Sequence, residues 1–369
     1  MKILITGSRG FIGKNFISHV KEMENIEIIT FDHEDNLEKI ETNIKGVDYI
    51  FHFAGVNRPK DIQEFYDGNQ HLTEKIIDIL VSKKLSIPII MTSSIQADLN
   101  NDYGKSKKGA EIAIRKYNNG SRIYRLHNVF GKWCKPNYNS VVATFCNNIA
   151  CGKEIEISDR SKELELIYID DICKEFKNIL LGKSLTQQTE YYYISPRYKI
   201  TLGQLADKIY EFKKSAESIY VPNTNSEEFT KKLYSTFISY LPNENLKIPL
   251  KINNDERGSF TELVKNNESG QVSVSVSKPG VIRGNHYHHT KMERFIVIKG
   301  EAKITFQNIT TDETFSIYVS DKKLEVVNIP VGYSHSIENT GQEEMILIIW
   351  CNEIYDETKP DTYYKEILK

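Results

Sequence analysis

Four residues near the end of the chain, His286, His288, Glu293 and His335, have the types and spacing to hold a metal ion. In a strand, His-x-His points both rings to the same side, because side chains alternate with period two. The carboxylate that closes His-x-His-x4-Glu and a remote imidazole complete a mixed nitrogen and oxygen set. Such a set predicts one divalent cation, with zinc favoured and iron, manganese or nickel also admitted.

A second group of residues suits redox chemistry. Gly7, Gly10 and Gly13 follow an apolar run at the start of the chain, where small residues let the backbone approach a pyrophosphate and let a helix N-terminus face its charge. The stretch ending in Ala54 and Gly55 also closes on small residues, which suits a strand end lying beneath a cofactor. Further on, Tyr103 and Lys107 are four apart, one above the other on a helix face. A nearby ammonium lowers a phenol's pKa and can hold a nicotinamide ribose, so the phenol can pass a proton to a carbonyl oxygen that receives a hydride. Ser94, at the end of Thr92-Ser93-Ser94, precedes this pair. Two residues bear on the cofactor and pull in opposite directions. Asp32 is placed to hold the adenosine ribose of NAD, whereas Arg9 in the glycine turn suits a 2'-phosphate; the expectation adopted is NADPH.

The elements that must position these groups fall into two kinds. Apolar runs at 2–6, 26–31, 49–53, 87–92 and 121–126 alternate with helix-length segments, the pattern of a doubly wound parallel sheet covered by helices. From about residue 271 the period changes to two. Val272, Val274 and Val276 alternate with Gln271, Ser273 and Ser275, and short strands follow, which predicts an all-β domain. Between them, 201–212 and 227–240 have helical spacing, and Leu241-Pro242-Asn243-Glu244-Asn245 is a natural break. The predicted domains are 1–243 and 252–369.

A chain of 369 residues is long enough for two cores. With 48 basic against 50 acidic residues and no long run of one sign, nothing favours nucleic acid or an anionic membrane surface as partner, and a small-molecule substrate fits better. No apolar run of membrane-spanning length and no signal-peptide pattern is apparent, so a cytoplasmic protein is expected. Five cysteines without a Cys-x-x-Cys pair are read as reduced and structural.

Residues 1–240 resemble the extended short-chain dehydrogenase/reductase family of nucleotide-sugar epimerases, dehydratases and reductases, a Rossmann-type fold. The likeness is carried by the glycine turn, by Tyr103-Gly104-Lys105-Ser106-Lys107, by Arg125-Leu126-His127-Asn128-Val129-Phe130-Gly131 and by Tyr168-Ile169-Asp170-Asp171-Ile172. The resemblance implies that Ser94, with Ser93 as the alternative, hydrogen-bonds the substrate carbonyl. It likewise implies that Tyr103 is the proton donor and that Lys107 orients the ribose and tunes the phenol.

The stretch from Gly284 to Gly300, with Pro330-Val331-Gly332-Tyr333-Ser334-His335 and Asn339, resembles the two cupin motifs, which implies a β-barrel. Residues 255–262 and 283–287 also resemble the cupin-fold epimerases of 4-keto-6-deoxy nucleotide sugars, in which the residue matching His286 is the general base. Here His288 and Glu293 replace the glutamine and lysine usual there. If His286 binds a metal it cannot also be a free base, and His289, Lys291 and Tyr287 stay open as candidates.

Over the whole length the motifs resemble bifunctional reductase–cupin enzymes of bacterial capsular polysaccharide synthesis, on the route to UDP-N-acetyl-L-fucosamine. That resemblance implies a UDP-linked 4-keto-6-deoxy amino sugar as substrate, C3 epimerisation in the cupin domain, C4 reduction in the N-terminal domain, and a homodimer formed through the cupin domain. The alternatives are a reductase carrying a metal-dependent oxygenase-like cupin, or a non-catalytic dimerisation or sensing cupin.

Overall fold

The computed structural model describes residues 1–183 and 190–367. Contacts divide the chain into one unit of Met1–Tyr210 with Lys232–Leu241 and a second of Glu211–Lys231 with Pro242–Lys369.

The first unit opens with β1 (Lys2–Thr6), α1 (Phe11–Val20), β2 (Glu27–Phe31), α2 (Glu38–Asn43) and β3 (Tyr49–His52). A helical run follows, made of α3 (Gln63–Phe65), a π-helical turn (Tyr66–His71) and α4 (Leu72–Ser82). Next come β4 (Ile89–Ser94), α5 (Asp102–Tyr117), β5 (Arg122–Leu126), β6 (Asn128–Phe130), α6 (Val141–Ala150), β7 (Glu163–Tyr168), α7 (Ile169–Leu180) and β8 (Tyr198–Thr201). Five strands form a parallel sheet in the order β2-β1-β3-β4-β5. The expected parallel sheet is therefore present, and its strands agree with the predicted runs to within a few residues.

Its strands are apolar at successive positions because both faces are covered. Ile3 and Ile5 of β1 pack with Phe16 of α1, Phe51 of β3 and Phe176 of α7, whereas Leu4 packs on the other side with Ile76 and Leu80 of α4 and Ala110 and Ile114 of α5. The strand order reverses between β1 and β3. In open α/β sheets such a switch point leaves a crevice beyond the strand ends.

The second unit is all-β apart from the helical residues 211–216 and 228–231 and a short helical turn at 243–246. Its strands are β9 (Ile252–Asp255), β10 (Gly258–Asn266), β11 (Gly270–Ser277), β12 (Ile282–Tyr287), β13 (Glu293–Lys299), β14 (Glu301–Asn308), β15 (Thr314–Ser320), β16 (Val327–Ile329), β17 (Tyr333–Asn339), β18 (Met345–Cys351) and β19 (Tyr363–Tyr364). They form two sheets, β16-β13-β18-β11-β10-β9 and β15-β14-β17-β12-β19. One core draws on both, with Phe295, Val297 and Leu347 from the first and Ile304, Phe306 and Ile337 from the second.

The period-two alternation in β11 is real, but its buried face is the polar one. Gln271, Ser273, Ser275 and Ser277 are buried and the three valines are only half-buried. Register explains this. Gln271 lies opposite Cys351, which lies opposite Glu293, so the polar face of β11 shares a row with the carboxylate of the histidine cluster.

Candidate active site and metal centre

The glycine turn owes its sequence to close backbone approach. Gly7 has φ +69°, and a Cβ there would lie 2.7 Å from the Ala54 amide; at Gly13 it would lie 2.3 Å from the Gly7 carbonyl. Gly10 caps α1 without a side-chain hydrogen bond, so the first N–H groups of the helix are left for a ligand. Gly7, Gly10, Gly13 and Arg9 line a cleft of about 780 Å³, together with Ser94, Tyr103 and Lys107. The structure thus brings the glycine turn and the predicted Ser/Tyr/Lys set to one cavity.

Each member of that set is held by its element. Lys107, on α5, is buried and donates to the Thr92 carbonyl at 3.0 Å. Burial pulls its ammonium down to about 8, against a smaller upward pull from Glu111. Ser94 ends β4, and its hydroxyl accepts from the Gln96 amide at 3.1 Å. Ser93 instead donates to the wholly buried Glu111 carboxylate at 2.6 Å, which also receives Arg125. The expected lowering of the Tyr103 pKa is not found. Burial raises it, and a hydrogen bond with Ser94 offsets only part of the rise. The desolvation that accompanies a walled cleft sets the direction here.

Asp32 and Ala54 do not line the cleft wall, although both touch the glycine turn. Asp32 is buried, and its carboxylate accepts from the Ser8 hydroxyl and, at 3.0 Å, from the Arg9 amide. The Ala54 amide donates to Thr6 Oγ1 at 3.3 Å. Arg9 is largely exposed, with its guanidinium 3.3 Å from Glu34.

In the second unit His286, His288, Glu293 and His335 converge so that one ligand atom from each lies within 4.8 Å of the others. His286 faces His335 across the β12–β17 ladder, just after a bulge at Asn285, where φ is +58°. His288 Nε2 and His335 Nε2 each lie 3.3 Å from Glu293 Oε2. His288 Nδ1 must donate to the Asp361 carbonyl at 2.6 Å, since that oxygen only accepts; in the neutral ring Nε2 is then a bare lone pair turned toward a carboxylate. Both ring nitrogens of His335 and Glu293 Oε2 are buried with no hydrogen-bond partner. Two acceptors and an unpartnered imidazole facing one another are the electrostatics of a cation site, so the donor set fits a divalent ion. Glu293 is held well below the usual carboxylate range by its histidine neighbours, despite burial.

The three residues left open as bases are differently placed. Lys291 is buried, with Nζ donating to the Pro360 carbonyl at 3.0 Å and Thr362 Oγ1 at 3.2 Å. Tyr287 stacks on Tyr363, and His289 meets the same ring edge-on.

Several residues were missed by the sequence reading. Glu111 carries a usable signal, one helical turn beyond Lys107 with a strand arginine to pair. Cys351, whose thiol donates to Glu293 Oε1 at 3.3 Å, and Asp361 are too far from the motif to be found by spacing.

A parallel sheet whose switch point opens on a glycine turn and a Ser/Tyr/Lys set defines a nicotinamide-dependent class, and the chain belongs to the NAD dependent epimerase/dehydratase family, whose pattern matches residues 3–192. Residues 253–363 match the polysaccharide biosynthesis C-terminal domain. Among relatives, UDP-2-acetamido-2,6-beta-L-arabino-hexul-4-ose reductase of Pseudomonas aeruginosa is 42% identical and covers 98% of each chain. The crystal structure of capsular polysaccharide assembling protein CapF from Staphylococcus aureus is 43% identical, covers 100% of both chains and superposes with a TM-score of 0.91. A shorter relative, spore coat polysaccharide biosynthesis protein SpsL of Bacillus subtilis, is 30% identical over 29% of this chain and 78% of its own. The whole-chain likeness to capsule enzymes read from the motifs is met over the full length of CapF. Among the described residues no helix is long and apolar enough to cross a membrane.

Proposed function

We propose that this chain is a bifunctional nucleotide-sugar enzyme of capsular polysaccharide synthesis, on the route to UDP-N-acetyl-L-fucosamine. Its C-terminal unit, read as a cupin domain, epimerises C3 of a UDP-2-acetamido-2,6-dideoxy-4-hexulose. Its N-terminal unit then reduces the C4 ketone to give UDP-2-acetamido-2,6-dideoxy-L-talose. The observation that carries this reading is the convergence of Ser94, Tyr103 and Lys107 beside the glycine turn, in a chain 42% identical to a reductase of a UDP-linked 4-ulose.

Gly7, Gly10 and the start of α1 would hold the pyrophosphate of NADPH, which when bound would supply the hydride. Tyr103 gives its proton to the C4 oxygen as charge develops there. The high pKa that burial imposes keeps the phenol protonated until then. Ser94 donates to the same oxygen and holds the ketone in line, while the Lys107 ammonium orients the ribose and stabilises the phenolate left behind.

Enolisation must precede reduction, because the ketone that acidifies the C3 proton is the group that reduction removes. His286, His288, Glu293 and His335 would hold a divalent metal, zinc by preference, which would supply positive charge to that unit. With His286 committed as ligand, Lys291 is a buried candidate for moving the proton, Tyr287 a half-buried one and His289 an exposed one.

Incubation with a UDP-linked 4-keto-6-deoxy amino sugar and NADPH in deuterated water tests the whole reading. Deuterium at C3 of a C4-reduced product is expected. Reduction with no label at C3 would remove the epimerase half, and label without reduction would remove the reductase half.

A further inference from the structure

Two histidines of the cluster, and the residue beside the third, are tied to one short segment, residues 361–365. The backbone of β19 pairs with β12 at His286 and Tyr287. The Asp361 carbonyl accepts a hydrogen bond from His288 Nδ1 at 2.6 Å. Beside His335, Ser334 is wholly buried and its hydroxyl donates to the Lys365 carbonyl. The Lys365 amide donates back to the Asn285 carbonyl at 2.9 Å, at the bulge that turns His286 inward.

Asp361 concentrates these ties. Its carboxylate accepts the His289, Thr290 and Lys291 amides at 3.0, 2.8 and 2.8 Å, and the Thr290 hydroxyl at 2.9 Å. Those amides begin the loop joining His288 to Glu293. One residue therefore fixes the loop through its side chain and the His288 tautomer through its backbone. Its φ of +35° is tolerated by Asp and Asn because their short polar chains reach nearby amides.

We propose that Asp361 is a positioning residue for the metal and that segment 361–365 is the strap that retains the ion. The ligands stay convergent while the strap is docked, and the ion leaves when it detaches. This rests on the metal reading given above. An outer partner that fixes a ligating imidazole changes metal affinity about 10–100-fold when lost, and a strap acts on the release rate in particular.

The test uses the full chain, stripped with a chelator and reloaded with zinc alone. Asp361→Asn keeps the backbone conformation but removes the charge and half of the acceptor capacity. Zinc release to a colorimetric chelator should accelerate about 10–100-fold, with one zinc per chain still bound at saturation and NADPH-dependent reduction unchanged. Ser334→Ala, which cuts the strap at its other end, should shift release in the same direction by a smaller factor. A release rate equal to that of the parent chain, with only the unfolding midpoint of the metal-free protein lowered, would overturn the proposal and leave Asp361 merely structural. A parent chain that takes up no zinc, cobalt or manganese would instead remove the metal reading on which it stands.

Discussion

The Ser93 hydroxyl donates to Glu111 at 2.6 Å, and this bond decides how the Thr92-Ser93-Ser94 run is used. Glu111 is wholly buried and also accepts two bonds from Arg125, whose other donors reach Asp98 in the turn just after Ser94. Ser93 is thus spent on a buried ion-pair network, and Ser94 is the hydroxyl left beside Tyr103. Ser94→Ala should lower the rate of reduction by about tenfold or more, since it removes a donor to the developing oxyanion. Ser93→Ala should cost about 1 kcal/mol of stability with little effect on rate. Steady-state kinetics and urea unfolding of the two variants separate these outcomes; a reversed ranking would reassign the serine.

Tyr103→Phe removes the proton donor while leaving the ring that packs on Phe65 at a centroid distance of 5.6 Å. Reduction should fall by about 10²–10⁴-fold. Solvent deuterium exchange at C3 should continue, because that chemistry is assigned to the other unit. Loss of both activities together would argue against separate sites.

Lys107 sets a pH dependence with two opposite signs. Its ammonium, pulled down to about 8 by burial, is lost as pH rises through that value, so turnover should decline on the alkaline side. Stability should move the other way. Between about 8 and the ordinary lysine value near 10.5 the unfolded chain holds a proton that the folded chain has released, so folding gains as pH rises through this window. A rate profile paired with denaturant midpoints from pH 7 to 10 checks both. A flat rate profile would show that the charge on Lys107 does not matter to reduction.

The parallel sheet was legible because its buried strands are continuous apolar runs, and the glycine turn because close backbone approach admits no other residue at Gly7 and Gly13. The histidine cluster was legible because His-x-His has the period of a strand. The phenol's pKa was misread because spacing shows the neighbouring charge but not the walls that desolvate it. The inward serines of β11 ran against the usual rule that the apolar side of an alternating strand is the buried one, and only register with Glu293 explains them. Cys351 and Asp361 carry no local signal, since the ladder and strap that bring them to the site are tertiary.

Cofactor choice turns on Arg9. Because Asp32 is already engaged by Ser8 and the Arg9 amide, its carboxylate is drawn into the glycine turn, while the exposed Arg9 guanidinium lies 3.3 Å from Glu34 and 3.8 Å from the Asp32 carboxylate. Arg9→Ala should raise KM for NADPH about tenfold, the worth of one lost charge-assisted contact, and change KM for NADH little. Glu34→Gln, which releases Arg9 from its exposed partner, should lower KM for NADPH. Parent turnover that is faster with NADH, or an unchanged NADPH KM in Arg9→Ala, would return the ribose to Asp32.

Metal removal separates the two units most directly. The buried cluster brings His288 and His335 to within 3.3 Å of Glu293 Oε2, and the acceptors there that lack a hydrogen-bond partner would be stabilised by a cation lying among them. Chelation should therefore lower the unfolding midpoint of the second unit, and restoring zinc at about a thousandfold over its dissociation constant should return about 4 kcal/mol. Exchange at C3 should stop on chelation and resume on reloading, while reduction of a substrate already epimerised continues. Glu293→Gln removes the anionic ligand but keeps the shape, and should bind zinc far more weakly. Elemental analysis of the purified chain, read with exchange and reduction assays before and after chelation, gives the answer. Metal that can be removed without loss of C3 exchange would mean that the ion braces the strands and that the proton is moved without it.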